Sequence, residues 1–219
     1  LKAFALENGL EIFESLLKKK PKMPKPVCNI VGGWKQIGSD IQEYLLLPIH
    51  QKNFLDSITK IADSYKQIAK VLIDKDPNFV FAKNIESAWV TSLNIEQILT
   101  YLARIADESL LKIGLDIAAS QLWDGKKFYF YKNSGIKLLT HQQLSFVEDL
   151  ARRYPVYYIE DPFHEDDFVS FSVLTHRLQQ KLIIGDDLVA TNMKRLKRGI
   201  EHKAINGMII KPNQVGTIS

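Results

Sequence analysis

The sequence predicts an α/β fold built on parallel strands, and three observations carry that reading. Four short apolar runs each stop at a charged residue: Ile113-Gly114-Leu115-Asp116, Val156-Tyr157-Tyr158-Ile159-Glu160, Leu182-Ile183-Ile184-Gly185-Asp186 and Gly207-Met208-Ile209-Ile210-Lys211. Residues 140–153, 167–180 and 192–202 carry helical patterns between these runs, so strands and helices alternate. The runs are continuous rather than alternating, as expected of parallel strands covered on both faces. In a (β/α) barrel or an open sheet of this kind, the C-terminal strand ends converge on one rim where loops build a site.

Taken in order, residues 1–17 form an amphipathic pattern that predicts a helix broken near Gly9. A connector to Pro26 follows, carrying Lys18, Lys19, Lys20, Lys22 and Lys25 among three prolines, and it reads as a solvated boundary. Residues 27–31 read as a strand, Gly32-Gly33 as a turn, and residues 40–47 as a second strand closing at Pro48, able to pair antiparallel with the first. Phe54, Ile58, Ile61, Tyr65, Ile68 and Leu72 recur at spacings of three and four, which predicts one long helix over 53–73. Residues 74–88 have no clear period and read as a long loop. Asn94 caps a second helix over 94–105, and strand 112–116 follows. Phe128-Tyr129-Phe130-Tyr131, behind Asp124-Gly125, reads as a small surface strand whose aromatic stripe serves packing rather than ligand stacking.

The four charged strand ends are Asp116, Glu160, Asp186 and Lys211. A carboxylate at the tip of a buried strand is costly unless it meets a cation or solvent. Any one of these residues alone is ordinarily a helix cap or an ion-pair partner. Three carboxylates and an amine gathered on one rim point instead to a site. His164, the histidine nearest the rim, is explained as a solvated loop residue.

Composition bounds the rest. The chain has 219 residues, 46% hydrophobic and 25% charged, which suits a globular protein with a sizeable core. Its longest candidate membrane stretch, residues 44–49, is far short of a span, so a membrane role is not expected. The net charge of +4 lies mostly in the connector and has no interleaved aromatic platform, which argues against nucleic acid. The single cysteine, Cys28, cannot form an internal disulfide, fits a reducing cytoplasm and reads as a small core residue.

Three long strings, RRYPVYYIEDPFHEDDF, IIGDDLVATN and IIKPNQVGT, together with residues 113–120, resemble enolase, the phosphopyruvate hydratase family. Residues 25–33 and 40–44 look like that family's first two barrel strands. The resemblance implies an enolase-type TIM-like barrel, ββαα(βα)6, that is incomplete in this chain, with residues 1–20 as the end of a smaller N-terminal domain and linker and 21–219 as the partial barrel. It further implies Mg²⁺-dependent, reversible dehydration of 2-phosphoglycerate to phosphoenolpyruvate, a cytoplasmic location and a homodimer. On matching positions Asp116, Glu160 and Asp186 become the magnesium ligands, a set of hard oxygens suited to that ion. Lys211 becomes the base, its pKa lowered by the metal's charge and partial burial. Glu86 becomes the general acid, Glu43 the carboxylate that assists it, and Gln42 and Lys35 substrate contacts.

The sequence departs from the family in three places. The glycine-rich acid loop reads Asn84-Ile85-Glu86-Ser87-Ala88, which puts its shape in question. Trp34-Lys35 stands where the family has Ser-His, and Gln121 stands where it has a glutamate. The family's phosphate-binding Ser-His-Arg loop and second lysine have no counterpart before Ser219, and its mobile serine loop none at all, so these residues are expected to belong to a longer polypeptide. The altered loops motivate a second reading, an enolase-like structural or interaction subunit with little turnover.

Overall fold

The computed structural model describes residues 1–17, 19, 21–33, 38–51 and 53–216. Its first element is short: α1 (Lys2–Glu7) ends before Gly9, which takes φ +64°, and a single 3-10 turn over Glu14–Leu16 is all that continues it. The expected helix over 1–17 is therefore broken at Gly9, with Leu6, Phe13 and Leu16 exposed.

The main sheet begins with β1 (Cys28–Gly32) and β2 (Glu43–Pro48), which pair antiparallel as expected. β2 starts three residues later than the hydrophobic pattern suggests, because Asp40 is occupied elsewhere: its carboxylate accepts from the backbone of Asn133 and Ser134 and from the Ser134 hydroxyl. Two helices follow. α2 (Phe54–Lys75) is capped by the Asn53 side chain, and α3 (Ile95–Ser109) starts in a capping box in which Asn94 and Gln97 satisfy each other's backbone N–H. Ile61, Ile68 and Leu72 of α2 and Ile98, Leu102 and Ile105 of α3 are buried as their spacing requires, while Phe54 in the first turn of α2 remains exposed.

β3 (Leu111–Asp116) pairs antiparallel with β2. A hairpin then interrupts the strand-helix alternation: β4 (Phe128–Tyr131) and β5 (Ile136–Leu139). β5 is not predicted from the sequence, and β4 is less superficial than expected, since Tyr129 and Tyr131 are fully buried and, of the outward-facing pair Phe128 and Phe130, only Phe130 is exposed. The stripe serves packing, as anticipated. The chain continues through α4 (Thr140–Arg153), β6 (Val156–Glu160), α5 (Phe168–Arg177), β7 (Leu182–Gly185), α6 (Met193–Glu201), β8 (Gly207–Met208) and α7 (Pro212–Val215). The last predicted strand shrinks to two residues, and Lys211 lies beyond it at the start of α7.

The spatial order β1-β2-β3-β6-β7-β8 never doubles back, and pairing is parallel from β3 onward. An open doubly wound sheet would reverse its order at a switch point. This sheet is instead a run of barrel wall, and leaving out the hairpin the element order from β1 is ββαα followed by βα units. The faces differ accordingly. One carries the large core of helices against strands, including Tyr44, Leu46, Ile113 and Ile159; the other carries a small cluster of Leu45, Leu47, Tyr158 and Ile184. The barrel's interior is thus lined by the same strand faces that end in the rim carboxylates.

Candidate metal and proton-transfer site

Strand register builds the centre of the site. Glu43 at the start of β2 is the partner of Asp116 at the end of β3, and Asp116 is the partner of Glu160 at the end of β6. Three carboxylates therefore stand side by side on one rim. Asp116 and Glu160 are 6% and 7% exposed, so water does little to screen them. Burial is the largest cause raising all three: Asp116, also repelled by Glu160 and Glu43, goes well above the usual carboxylate range, Glu43, also raised by its contact with Glu86, goes to about 8, and Glu160, also repelled by Asp186, to about 7.

Each is held by neighbours. One oxygen of Asp116 accepts from the Ala118 backbone N–H at 3.0 Å and the other from Gln42 Nε2 at 3.3 Å. Gln42 Oε1 in turn accepts from Gln121 Nε2 at 2.7 Å. Gln121 thus has a hydrogen-bonded link to the site without adding charge. The Tyr158 hydroxyl donates to Glu160 Oε2. A pocket of roughly 310 Å³ opens beside this group, lined in part by Gln42, Gln121, Asp40 and Lys132.

Asp186 and Lys211 form the second half. The Lys211 ammonium donates to Asp186 Oδ2, and the Lys211 backbone N–H is fixed by Thr191 Oγ1 at 2.9 Å. Burial lowers the Lys211 pKa, but the hydrogen bond and charge of Asp186, with Glu160 and Asp116, outweigh it and the net shift is upward. The expected lowering is not a property of the protein groups alone: three acidic neighbours hold the proton on Lys211.

Asp161 was not singled out from the sequence, yet it joins both acidic clusters, one with Asp116 and Glu160 and the other with Asp186 and Asp187. It is 2% exposed and sits at φ +41°, and its carboxylate accepts from the backbone N–H groups of Asp186, Asp187 and Leu188. It ties the end of β6 to the turn after β7. Behind it, buried Gln143 donates to Pro162 O at 2.9 Å and accepts from the Tyr131 hydroxyl. Ala118, Ala190 and Thr191 also have positive φ in the loops after β3 and β7. Left-handed backbone costs non-glycine residues about 1–2 kcal/mol each, and it recurs here where the rim loops turn.

Glu86 reaches the same place from the long loop. It accepts from Asn29 Nδ2 at 3.3 Å, and its contact and charge, after burial, help push Glu43 upward. The loop's shape is set without glycine: Asn84 Oδ1 accepts from the backbone of Glu86 and Ala88 at 3.0 Å, Ser87 adopts φ +63°, and the Tyr65 hydroxyl donates to Ser87 O at 2.6 Å. Lys35 lies outside the described residues. His164 is a loop residue as expected, but half-buried rather than solvated, with its ring against Trp123 and its backbone N–H donating to the Tyr129 hydroxyl.

The donor set fits a hard divalent cation, being all oxygen, largely buried and mutually repelling. The family described as "Enolase, C-terminal TIM barrel domain" matches residues 20–219. The chain is similar to an enolase of Pyrobaculum aerophilum at 39% identity over 206 residues, covering 90% of this chain and 49% of that protein. It is 37% identical to an enolase of Archaeoglobus fulgidus, covering 90% of this chain and 50% of the relative, and 35% identical to one of Methanosphaera stadtmanae, covering 100% and 56%. The chain spans about half the length of the curated relatives it matches.

Proposed function

The chain belongs to the enolase family, and on that premise we propose that it carries the barrel site of an enzyme interconverting 2-phosphoglycerate and phosphoenolpyruvate. The observation that carries the reading is the in-register row Glu43–Asp116–Glu160, with the Lys211 ammonium on Asp186 beside it.

Asp116, Glu160 and Asp186 are the residues we assign to hold Mg²⁺. Bound there, the ion supplies positive charge that stabilises the negative charge gathering on the substrate carboxylate. Lys211 Nζ, once neutral, takes the proton from the carbon next to that carboxylate, and the electron pair moves onto the carboxylate. The pair then returns to form the carbon–carbon double bond as the 3-hydroxyl departs. Glu86 gives that hydroxyl a proton so that it leaves as water, and Glu43, in contact with Glu86 and itself pushed up to about 8, keeps a proton available at neutral pH. Gln42 and Lys35 complete the proposed substrate contacts. Asp186 is both the ammonium's partner and a proposed ligand, so drawing its charge away from Lys211 favours the neutral amine.

The family likeness also supports a cytoplasmic homodimer, which sedimentation of the complete polypeptide tests. No helix among the described residues is long and apolar enough to cross a membrane. The reaction itself is tested by NMR of the complete polypeptide with Mg²⁺ and 2-phosphoglycerate in deuterated water. The proposal expects exchange at the α-carbon together with phosphoenolpyruvate. Exchange without product would remove Glu86 as an effective acid, and neither signal from a folded protein would favour the interaction-subunit reading.

A further inference from the structure

We infer that Tyr158 is a positioning residue for the metal site, fixing the Glu160 carboxylate through its hydroxyl; the inference rests on reading Glu160 as a magnesium ligand. Residues two apart on a strand share a face, so Tyr158 and Glu160 both project from β6 toward the barrel interior. Tyr158 is 6% exposed and its hydroxyl donates to Glu160 Oε2.

The surrounding packing makes the ring's place specific. Tyr158 is the register partner of Gly114 on β3. A Cβ at Gly114 would lie 2.9 Å from Leu47 Cδ1, 3.0 Å from Leu45 Cβ and 3.1 Å from Tyr158 Cδ1. The glycine clears the berth in which the ring lies, and Leu45, Leu47 and Ile184 close around it. A phenylalanine would fill that apolar berth equally well. The hydroxyl therefore has a use that packing does not explain, and its partner is one of the carboxylates of the buried acidic cluster.

The consequence is rotational. A glutamate side chain loses conformational freedom when it binds an ion, and a ligand already oriented by a hydrogen bond loses less. With Oε2 accepting from Tyr158, the Glu160 carboxylate is held beside Asp116, where their oxygens and one of Asp161 lie within 4.8 Å of one another. Hydrogen bonds of this kind to a ligand are typically worth about 10–100-fold in metal affinity.

The test is Tyr158→Phe in the complete polypeptide, with Mg²⁺ affinity measured by calorimetry and the Mn²⁺ spectrum by electron paramagnetic resonance. The expected result is an Mg²⁺ Kd raised about 10-fold or more, an altered Mn²⁺ spectrum and a metal-free protein that still unfolds in one cooperative transition. Wild-type affinity in Tyr158→Phe overturns the inference and leaves the functional reading standing. Affinity lost in Tyr158→Leu but kept in Tyr158→Phe assigns the effect to the ring and also overturns it. A wild-type protein that binds no Mg²⁺, with Glu160→Gln indistinguishable from it, overturns this inference together with the reading on which it rests.

Discussion

Asp116 and Glu160 are register partners on adjacent parallel strands, so two buried carboxylates are presented at the same height with backbones roughly 5 Å apart. A fold built for stability alone gains nothing from that pairing, because each charge disfavours the other. A divalent cation between them reverses the sign of the interaction.

The first prediction follows from that reversal. Glu160→Gln removes one of the repelling charges and one of the proposed ligands. The metal-free variant should melt at or above the wild-type temperature near pH 8, while the rise in melting temperature on adding Mg²⁺ disappears. Thermal melts with and without Mg²⁺ check both halves, and an undiminished Mg²⁺ response in the variant would remove Glu160 from the site.

The second concerns pH. Burial and neighbouring charge raise Glu43 from 4.5 to about 8 and Glu160 from 4.5 to about 7 in the folded protein. Between these limits the folded state binds more protons than the unfolded one, so stability falls as pH rises. The contribution is fully present below about 4.5 and is lost as pH climbs through 7 to 8. Melts in a chelating buffer should show that decline, and Mg²⁺, which competes with these protons, should stabilise more at pH 8 than at pH 5.

The third concerns packing. Gly114→Ala places a methyl group against Leu45, Leu47 and the Tyr158 ring, with backbone-anchored Leu45 Cβ at 3.0 Å. Overpacking of this kind should cost about 1–3 kcal/mol. Urea denaturation of wild type and variant measures it; an unchanged midpoint would mean that the inner face yields more readily than its contacts indicate.

The fourth separates the two halves of the chemistry. Glu86→Gln should spare α-proton exchange and block dehydration. Tyr65→Phe removes the hydrogen bond to Ser87 O that steadies the turn bearing Glu86, so it should slow dehydration by about 2- to 10-fold, one ordinary hydrogen bond's worth, with exchange unaltered. Equal loss of both steps in either folded variant would contradict the assignment of Glu86 as acid.

The strand ends Asp116, Glu160 and Asp186 were legible in the sequence because an apolar run that stops at a carboxylate has few structural explanations. The long helices were legible for a related reason: Ile61, Ile68 and Leu72 keep a period that only one face can satisfy. Signals that depend on distant partners were not. β5 is a four-residue run whose meaning comes from pairing with β4. Asp161 carries no sequence signal of its own, because three backbone N–H groups from the turn after β7 are what make it a tie between strands. The loss of glycines around Glu86 suggested an altered loop, but Asn84 and Ser87 supply the turn by side-chain hydrogen bonding and a left-handed residue. The Lys211 pKa depends on which charges outweigh burial, a balance visible only once Asp186 is seen against the ammonium.

The most direct test of the account is α-proton exchange of 2-phosphoglycerate in deuterated water, with Mg²⁺, by the complete polypeptide carrying Lys211→Ala. The account predicts that exchange falls at least ~100-fold, the ordinary worth of a positioned base, while Mg²⁺ affinity holds or improves because Asp186 has lost its competing ammonium. Exchange persisting near the wild-type rate in the folded variant would contradict it, since the proton would then leave to some other group.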